Sequence, residues 1–358
     1  MTAAQAPVLI MAGGTGGHIF PGIAVGAELR ARGVPVVWLG GRVGLEQRLV
    51  PAAGFPLQTL GFGGVRGKGL LTRLLALPRL FGACLAARRM LRQLRPRSVL
   101  ALGGYASAPG GLAARSLRLP LVVHEQNRVP GMTNRLLARH ATRLLSGFAD
   151  AFADGRAEWV GNPVREAIAA LPEPAVRLAG RAGPLRVLVL GGSQGAQSLN
   201  GQLPAVFGRY GGALEVLHQC GAAHVEATRA AYAASGVPAR VEPFIDDMAA
   251  AYAWADLAVC RSGALTIAEL CAAGVPAILV PFPHAVDDHQ TRNAEAMVAV
   301  GAADLVAEGE DFAGRLDRVL AARVDARGRV AAMAAAARTL ARPDAARRIA
   351  DVCLEVAA

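Results

Sequence analysis

Lysine is nearly missing from this chain of 358 residues: of its 38 basic side chains only Lys68 is one, and the others are arginines. A Gly-Lys-Ser/Thr phosphate loop and a buried Schiff-base lysine both fall away with it. Cysteine is scarce too. Cys84, Cys220, Cys260, Cys271 and Cys353 are odd in number, far apart and never paired as Cys-x-x-Cys, which argues against a disulfide framework or zinc ribbon and fits the reduced thiols of a cytoplasmic protein. Aromatics make up 5% of the chain and do not interleave with basic residues, so no nucleic-acid partner is expected. No apolar run of membrane-spanning length escapes interruption by Gly, Pro or Arg, and no conventional spanning helix is expected. Residues 1–7 carry no basic side chain and do not read as a signal peptide. Asp-x-Asp is absent, and the side chains of the adjacent pairs Asp246-Asp247 and Asp287-Asp288 diverge, so no metal is expected.

What is there points to a folded, loop-punctuated protein: 53% apolar residues, 18% charged, with 42 Gly and 21 Pro. The length exceeds a usual domain of roughly 100–200 residues, so two domains are expected. A formal charge of +11 asks for an anionic partner, and with nucleic acid disfavoured by the aromatic content this leaves an acidic membrane surface or a phosphorylated substrate. Apolar runs at residues 8–12, 34–39, 98–102 and 121–124, then 186–190, 214–218, 256–260 and 277–280, alternate with stretches of helical period. They lack polar alternation, as strands covered by helices on both faces do, so the fold class is α/β, doubly wound.

An internal repeat divides the chain. Val8-Leu9-Ile10-Met11-Ala12-Gly13-Gly14-Thr15-Gly16-Gly17 is echoed by Val187-Leu188-Val189-Leu190-Gly191-Gly192-Ser193-Gln194-Gly195. Each copy reads as a strand, a glycine turn and a helix, so each half is expected to be a Rossmann-like domain: residues 1–161 and 162–341, with a cleft between them. The alanine-rich tail, with a helix at about 342–358, could belong to either lobe.

Glycine turns between strand and helix let backbone N–H groups and the helix dipole meet a phosphate without a charged side chain. Neither turn matches Gly-x-Gly-x-x-Gly, and no acidic residue ends a second strand near Leu39, which weakens a dinucleotide oxidoreductase. Ser262 or Gly263 is expected to cap a helix whose start suits a diphosphate, with Glu269 two turns in to take both hydroxyls of a ribose. His18, directly after the first glycine turn, suits a general base at neutral pH. Glu125 and Asn127 in His124-Glu125-Gln126-Asn127, and the turn Gly103-Gly104-Tyr105, lie at the carboxyl edge where open α/β sheets gather ligand groups. Arg165 is a candidate for neutralising phosphate charge. Residues 70–81, with Leu70, Leu71, Arg73, Leu74, Leu75, Arg79 and Phe81, combine leucine and arginine without an acid, as an interfacial patch on anionic lipid does.

These motifs, joined by Gly161-Asn162-Pro163-Val164-Arg165, Cys260-Arg261-Ser262-Gly263-Ala264-Leu265-Thr266 and Pro281-Phe282-Pro283-His284 through Asp288-His289-Gln290, run in order from about Val8 to Gln290. Together they resemble the bacterial glycosyltransferase family of the membrane step of peptidoglycan synthesis (the MurG family). The resemblance implies a two-lobed glycosyltransferase-B fold and inverting transfer of N-acetylglucosamine from UDP-N-acetylglucosamine. The acceptor would be the 4-hydroxyl of undecaprenyl-diphospho-N-acetylmuramoyl-pentapeptide (lipid I), with no cofactor and no metal in the active site. By resemblance the second lobe would hold the donor: Ile245 by the uracil, Ala264, Leu265, Thr266, Ile267 and Ala268 at the helix start, Glu269 on the ribose, and Ser193 and Arg165 beside the diphosphate. Asn127 and Gln290 would hold the transferred sugar, with Thr15, Gly16 and Gly17 closing from the first lobe. Gly13, Gly14, Gly103, Gly104 and Tyr105 would receive the acceptor diphosphate, and the leucine patch would sit on the cytoplasmic face of the inner membrane. Association with other cell-wall synthesis proteins is a further implication. His18 is the expected base with Glu125 as its rival. A UDP-N-acetylglucosamine 2-epimerase of the same architecture and a non-catalytic membrane-associated nucleotide-sugar binder are the alternatives.

Overall fold

A computed structural model describes residues 6–61, 76–192 and 195–357. The chain divides into two units, one formed by residues up to Val164 together with those from Arg342 onward, the other by Arg165–Ala341.

The first unit holds β1 (Val8–Ala12), β2 (Val36–Gly41), β3 (Leu57–Leu60), β4 (Ser98–Gly103), β5 (Leu121–Glu125), β6 (Arg143–Ser146) and β7 (Glu158–Trp159). They form one sheet in the order 3-2-1-4-5-6-7, with every pairing parallel. Its helices are α1 (Gly16–Ala31), α2 (Glu46–Ala52), α3 (Ala76–Leu94), α4 (Ser107–Ser116) and α5 (Met132–Ala138). Strand side chains alternate between two cores. Val8, Ile10, Leu100 and Val122 pack with Ile19, Val25 and Leu29 of α1, whereas Leu9, Met11, Val99 and Val123 pack with Leu91 of α3, Ala113 of α4 and Leu137 of α5.

The second unit holds β8 (Leu185–Leu190), β9 (Leu214–Gln219), β10 (Ala239–Glu242), β11 (Leu257–Cys260), β12 (Ala277–Leu279) and β13 (Ala303–Leu305), again all parallel, in the order 10-9-8-11-12-13. Around it lie α6 (Glu166–Ala169), α7 (Pro174–Arg177), α8 (Gln197–Phe207), α9 (Val225–Ser235), α10 (Met248–Trp254), α11 (Ala264–Ala273), α12 (His289–Ala299), α13 (Phe312–Val324) and α14 (Arg327–Thr339).

The last helix, α15 (Ala345–Glu355), returns to the first unit. Ile349, Ala350, Val352 and Cys353 join the core beside α1. The Ser98 hydroxyl donates to the Cys353 carbonyl at 2.7 Å, Arg32 pairs with Asp351, and Arg348 bridges Glu158 and Glu355 at 2.7 and 2.6 Å. Just before it, the Arg342 guanidinium stacks 3.6 Å from the centre of the Trp159 ring. Among the described residues no helix is long and apolar enough to cross a membrane.

Candidate active site

In each sheet the strand order reverses beside the first strand of the unit, so the loops after β1 and β4, and after β8 and β11, meet at a switch point where open α/β sheets bind ligands.

In the first unit Gly13 and Gly14 lead from β1 to Thr15, the N-cap of α1, whose hydroxyl makes no cap bond. The N–H groups of Gly16 and Gly17 therefore keep no helical acceptor. Gly103 and Gly104 of the neighbouring turn have φ of +114° and +87°, and a Cβ on Gly104 would run into the Gly13 carbonyl, so only glycine lets the two loops touch. The ring of Tyr105 stands exposed beside Gly14. Glu46, which the sequence reading did not mark, lies beneath this loop. It is 2% exposed, and its carboxylate accepts the N–H of Gly14 and of Gly41, each at 3.0 Å. A glycine turn expected to need no charged side chain thus rests on one, and the Gly14 N–H is already engaged.

His18 is half-buried on α1 against the Gly103 turn. Its Nδ1 lies 2.7 Å from Gln126 Oε1. Glu125, the rival base, is turned to other work. It is 1% exposed, and its oxygens accept the N–H of Asn127 at 2.9 Å, the N–H of Gly131 at 3.0 Å, and the side-chain amides of Asn134 at 2.9 Å and Asn127 at 3.3 Å. Four donors saturate the carboxylate, which folds the loop after β5 and has no lone pair aimed outward. The Asn127 side chain is tied into the same clamp.

In the second unit the β8 turn is tighter still. A Cβ at Gly195, φ +79°, would overlap the Cys220 carbonyl. Ser193 lies outside the described residues. The N-cap of α11 is Gly263, without a side-chain cap bond, while Ser262 beside it is buried with no partner on its hydroxyl. Ala264, Leu265 and Thr266 thus present first-turn N–H groups at the switch point, and Ile267 and Ala268 continue the turn. Glu269 is held from two sides: Arg165 donates through Nε at 3.1 Å and Nη2 at 2.8 Å, and the Tyr252 hydroxyl donates at 3.1 Å. Burial and that carboxylate push the Tyr252 phenol well above its ordinary value. Arg165 therefore spends its charge on Glu269 in this structure. Ile245 is buried, its N–H donating to Gln219 Oε1 at 3.2 Å. Gln290 accepts the Phe282 N–H at 2.9 Å through Oε1, just after Asp287 and Asp288, which carry the strain of φ +54° and +50°. Among the described residues no three His, Cys, Asp or Glu side chains converge as metal ligands would.

Of the leucine patch, Leu70, Leu71, Arg73, Leu74 and Leu75 lie outside the described residues. Arg79 and Phe81 stand exposed on α3, and Leu85, Arg89 and Arg92, also exposed, follow along the face of Phe81. Arg88 instead donates to the Ser116 hydroxyl at 2.8 Å.

Residues 8–146 match the glycosyltransferase family 28 N-terminal domain and residues 186–349 the glycosyltransferase family 28 C-terminal domain. These two matches fall on the two parallel-sheet units, and the chain belongs to glycosyltransferase family 28. It is 58% identical over 352 residues to the UDP-N-acetylglucosamine–N-acetylmuramyl-(pentapeptide) pyrophosphoryl-undecaprenol N-acetylglucosamine transferase of Xylella fastidiosa strain M12, covering 98% of this chain and 96% of that one. The crystal structure of the Acinetobacter baumannii MurG matches with a TM-score of 0.88 and 38% identity, over 98% of this chain and 100% of that one. Within family 28, the chain is a member of that transferase family. A UDP-N-acetylglucosamine 2-epimerase from Neisseria meningitidis, at TM-score 0.66, 11% identity and 97% and 100% coverage, shares the fold alone.

Proposed function

We propose that the chain moves N-acetylglucosamine from UDP-N-acetylglucosamine to the 4-hydroxyl of the muramyl sugar of undecaprenyl-diphospho-N-acetylmuramoyl-pentapeptide, turning lipid I into lipid II in peptidoglycan synthesis. The observation that carries this reading is the 58% identity to a transferase named for that reaction, sustained over both units and both glycine loops.

The reaction is one displacement with inversion at the anomeric carbon. The His18 imidazole takes the proton of the acceptor hydroxyl as its oxygen attacks, and UDP departs with the bonding pair. The first turn of α11 meets the diphosphate charge that develops on departure. Arg165 leaves Glu269 to join it, and Glu269 turns to the ribose hydroxyls. Ser193 flanks the diphosphate and Ile245 lies by the uracil; Asn127, Gln290, Thr15, Gly16 and Gly17 are the residues assigned to the sugar. Gly13, Gly103, Gly104 and Tyr105 receive the acceptor diphosphate, and Gly14, its N–H held by Glu46, shapes the turn that presents them. Helix dipole and arginine neutralise the leaving group, so neither cofactor nor metal is required.

The protein works as a peripheral protein on the cytoplasmic face of the inner membrane. The exposed face of α3, with Phe81 and Leu85 above Arg89 and Arg92, fits an anionic lipid surface. Replacing Arg79, Arg89 and Arg92 by glutamine lowers sedimentation with anionic vesicles and leaves UDP binding unchanged; undiminished sedimentation refutes the surface. The activity itself is tested by UDP release from UDP-N-acetylglucosamine with and without a lipid I analogue, EDTA present in both. Release only with acceptor is the expected result. Formation of the epimeric sugar without acceptor would move the chain to the epimerases, and no release at all would make it a binding protein.

A further inference from the structure

Two residues of the His124-Glu125-Gln126-Asn127 motif have no part in the reaction as described, yet they join His18 to the backbone. His124 Nε2 lies 2.9 Å from the Gly161 carbonyl oxygen. A carbonyl only accepts, so Nε2 carries a hydrogen. Burial pushes the His124 imidazolium down to about 4, so the ring is neutral and its Nδ1 is a bare lone pair. The group facing that lone pair, Gln126 Nε2 at 3.0 Å, must be the donor. The same amide nitrogen lies 3.0 Å from the His124 carbonyl, a second pure acceptor, so the amide cannot be reversed. Gln126 Oε1 is left pointing at His18 Nδ1, 2.7 Å away. An amide oxygen only accepts, so His18 Nδ1 bears the hydrogen.

We infer that Gln126, fixed by His124, is a positioning residue that holds His18 as the Nδ1–H tautomer and leaves Nε2 as the proton-accepting atom. The polarity starts at the Gly161 carbonyl and passes through two side chains without a proton moving along them. Gln126 is held at every polar end. It is 1% exposed, and its own carbonyl accepts from the Asn162 side-chain amide at 2.9 Å. Among the described residues no protein group bonds His18 Nε2. When Nε2 takes the acceptor's hydroxyl proton, the imidazolium keeps its Nδ1–H bond to Gln126 Oε1, so both states of the base satisfy one fixed amide. Without that amide a neutral histidine divides between its two tautomers, and one of them presents an N–H where a lone pair is needed.

The inference rests on His18 being the base, and the experiment separates the two. In the full-length protein labelled with ¹⁵N-histidine, two-bond ¹⁵N–¹H correlation spectra recorded in alkaline buffer report which nitrogen is protonated, the resonance being assigned with His18→Gln. Wild-type His18 is expected with a protonated Nδ1 and a bare Nε2. Gln126→Met keeps the length and removes both polar ends; it is expected to move His18 toward a mixture and to lower kcat by roughly 10–100-fold, short of the full worth of a general base at ~10²–10⁴. The KM for UDP-N-acetylglucosamine stays unchanged, which a general loosening of the fold would not spare. A proton on Nε2 in the wild type, or an unaltered Nδ1–H signature in Gln126→Met, overturns the inference, and the wild-type spectrum suffices even where the variant does not fold. Undiminished turnover in His18→Gln would instead refute the base and leave the tautomer assignment standing.

Discussion

Consider Glu46→Gln. The carboxylate accepts two backbone N–H groups, from Gly14 and Gly41, at 3.0 Å each. A carboxamide of the same shape offers one oxygen and one NH₂, so whichever way it turns, one backbone N–H meets a donor. Hydrogen bonds to a charged group are worth about 1.5–3 kcal/mol, and a buried N–H left unpaired costs about 1–3 kcal/mol, so the change should destabilise the first unit by about 2–5 kcal/mol. Relaxation is blocked, because a Cβ on Gly13 would come within 2.6 Å of the carboxylate and one on Gly40 within 2.8 Å of its Cγ, so the side chain fills the space those glycines leave. Urea unfolding followed by tryptophan emission in a Trp254→Phe background reads the first unit alone through Trp38 and Trp159. The same samples, titrated with UDP, should bind as the parent does, since Glu46 lies in the other unit from the expected nucleotide site, while the KM for the acceptor should rise. A loss of stability below about 0.5 kcal/mol, or a fall in UDP affinity matching the acceptor effect, refutes the account of Glu46 as the base of the acceptor loop.

Acid should weaken both units through buried histidines. Burial lowers His124 to about 4 and His218 to about 3, below the ~6.5 of an unfolded histidine. Between those values the unfolded chain binds the extra proton, so stability is whole above about pH 6.5 and falls by up to ~1.4 kcal/mol per pH unit per histidine as pH drops through the window. Urea midpoints measured from pH 7 to pH 4.5 check it, and His218→Phe should flatten the slope of the second unit only. Ile349→Ala should cost about 2–5 kcal/mol in the first unit, as deletion of a fully buried side chain does, with the urea transition of the second unit unmoved. Glu269→Ala should raise the UDP Kd about 10–100-fold by calorimetry, the equivalent of losing a charged hydrogen-bond acceptor; an unchanged Kd removes it from the ribose.

The interior of each sheet was legible because its strands are buried on both faces and read as unbroken apolar runs, such as residues 8–12 and 186–190. The strands at the margins were not. β3 is Leu-Gln-Thr-Leu with two exposed residues, β10 is Ala-Arg-Val-Glu with one buried residue, and β13 is Ala-Asp-Leu, so none carries an apolar run. The partner of the tail helix was illegible for another reason: Ser98 and Cys353 meet across 255 residues, and local pattern says nothing about so distant a neighbour. Glu46 reads as a solvated helix residue, and its one signal is the crowd of glycines at 40, 41 and 44 that make room for it. Strand parity also separates the two neighbours at the end of β5. Val122 and His124 face the α1 side of the sheet, while Val123 and Glu125 face α5.

The return of α15 to the first sheet has a consequence for how the chain comes off the ribosome. The second unit is continuous in sequence and has all its strands in hand once Ala341 has emerged. The first unit, begun earlier, still lacks Ile349, Val352 and Cys353 at that moment, and its groove beside α1 stays open until they arrive. The domain that is synthesised first is therefore completed last. A stalled or prematurely terminated chain would carry a finished second unit and an unfinished first unit with bare apolar surface, the kind of species that chaperones retain and proteases remove.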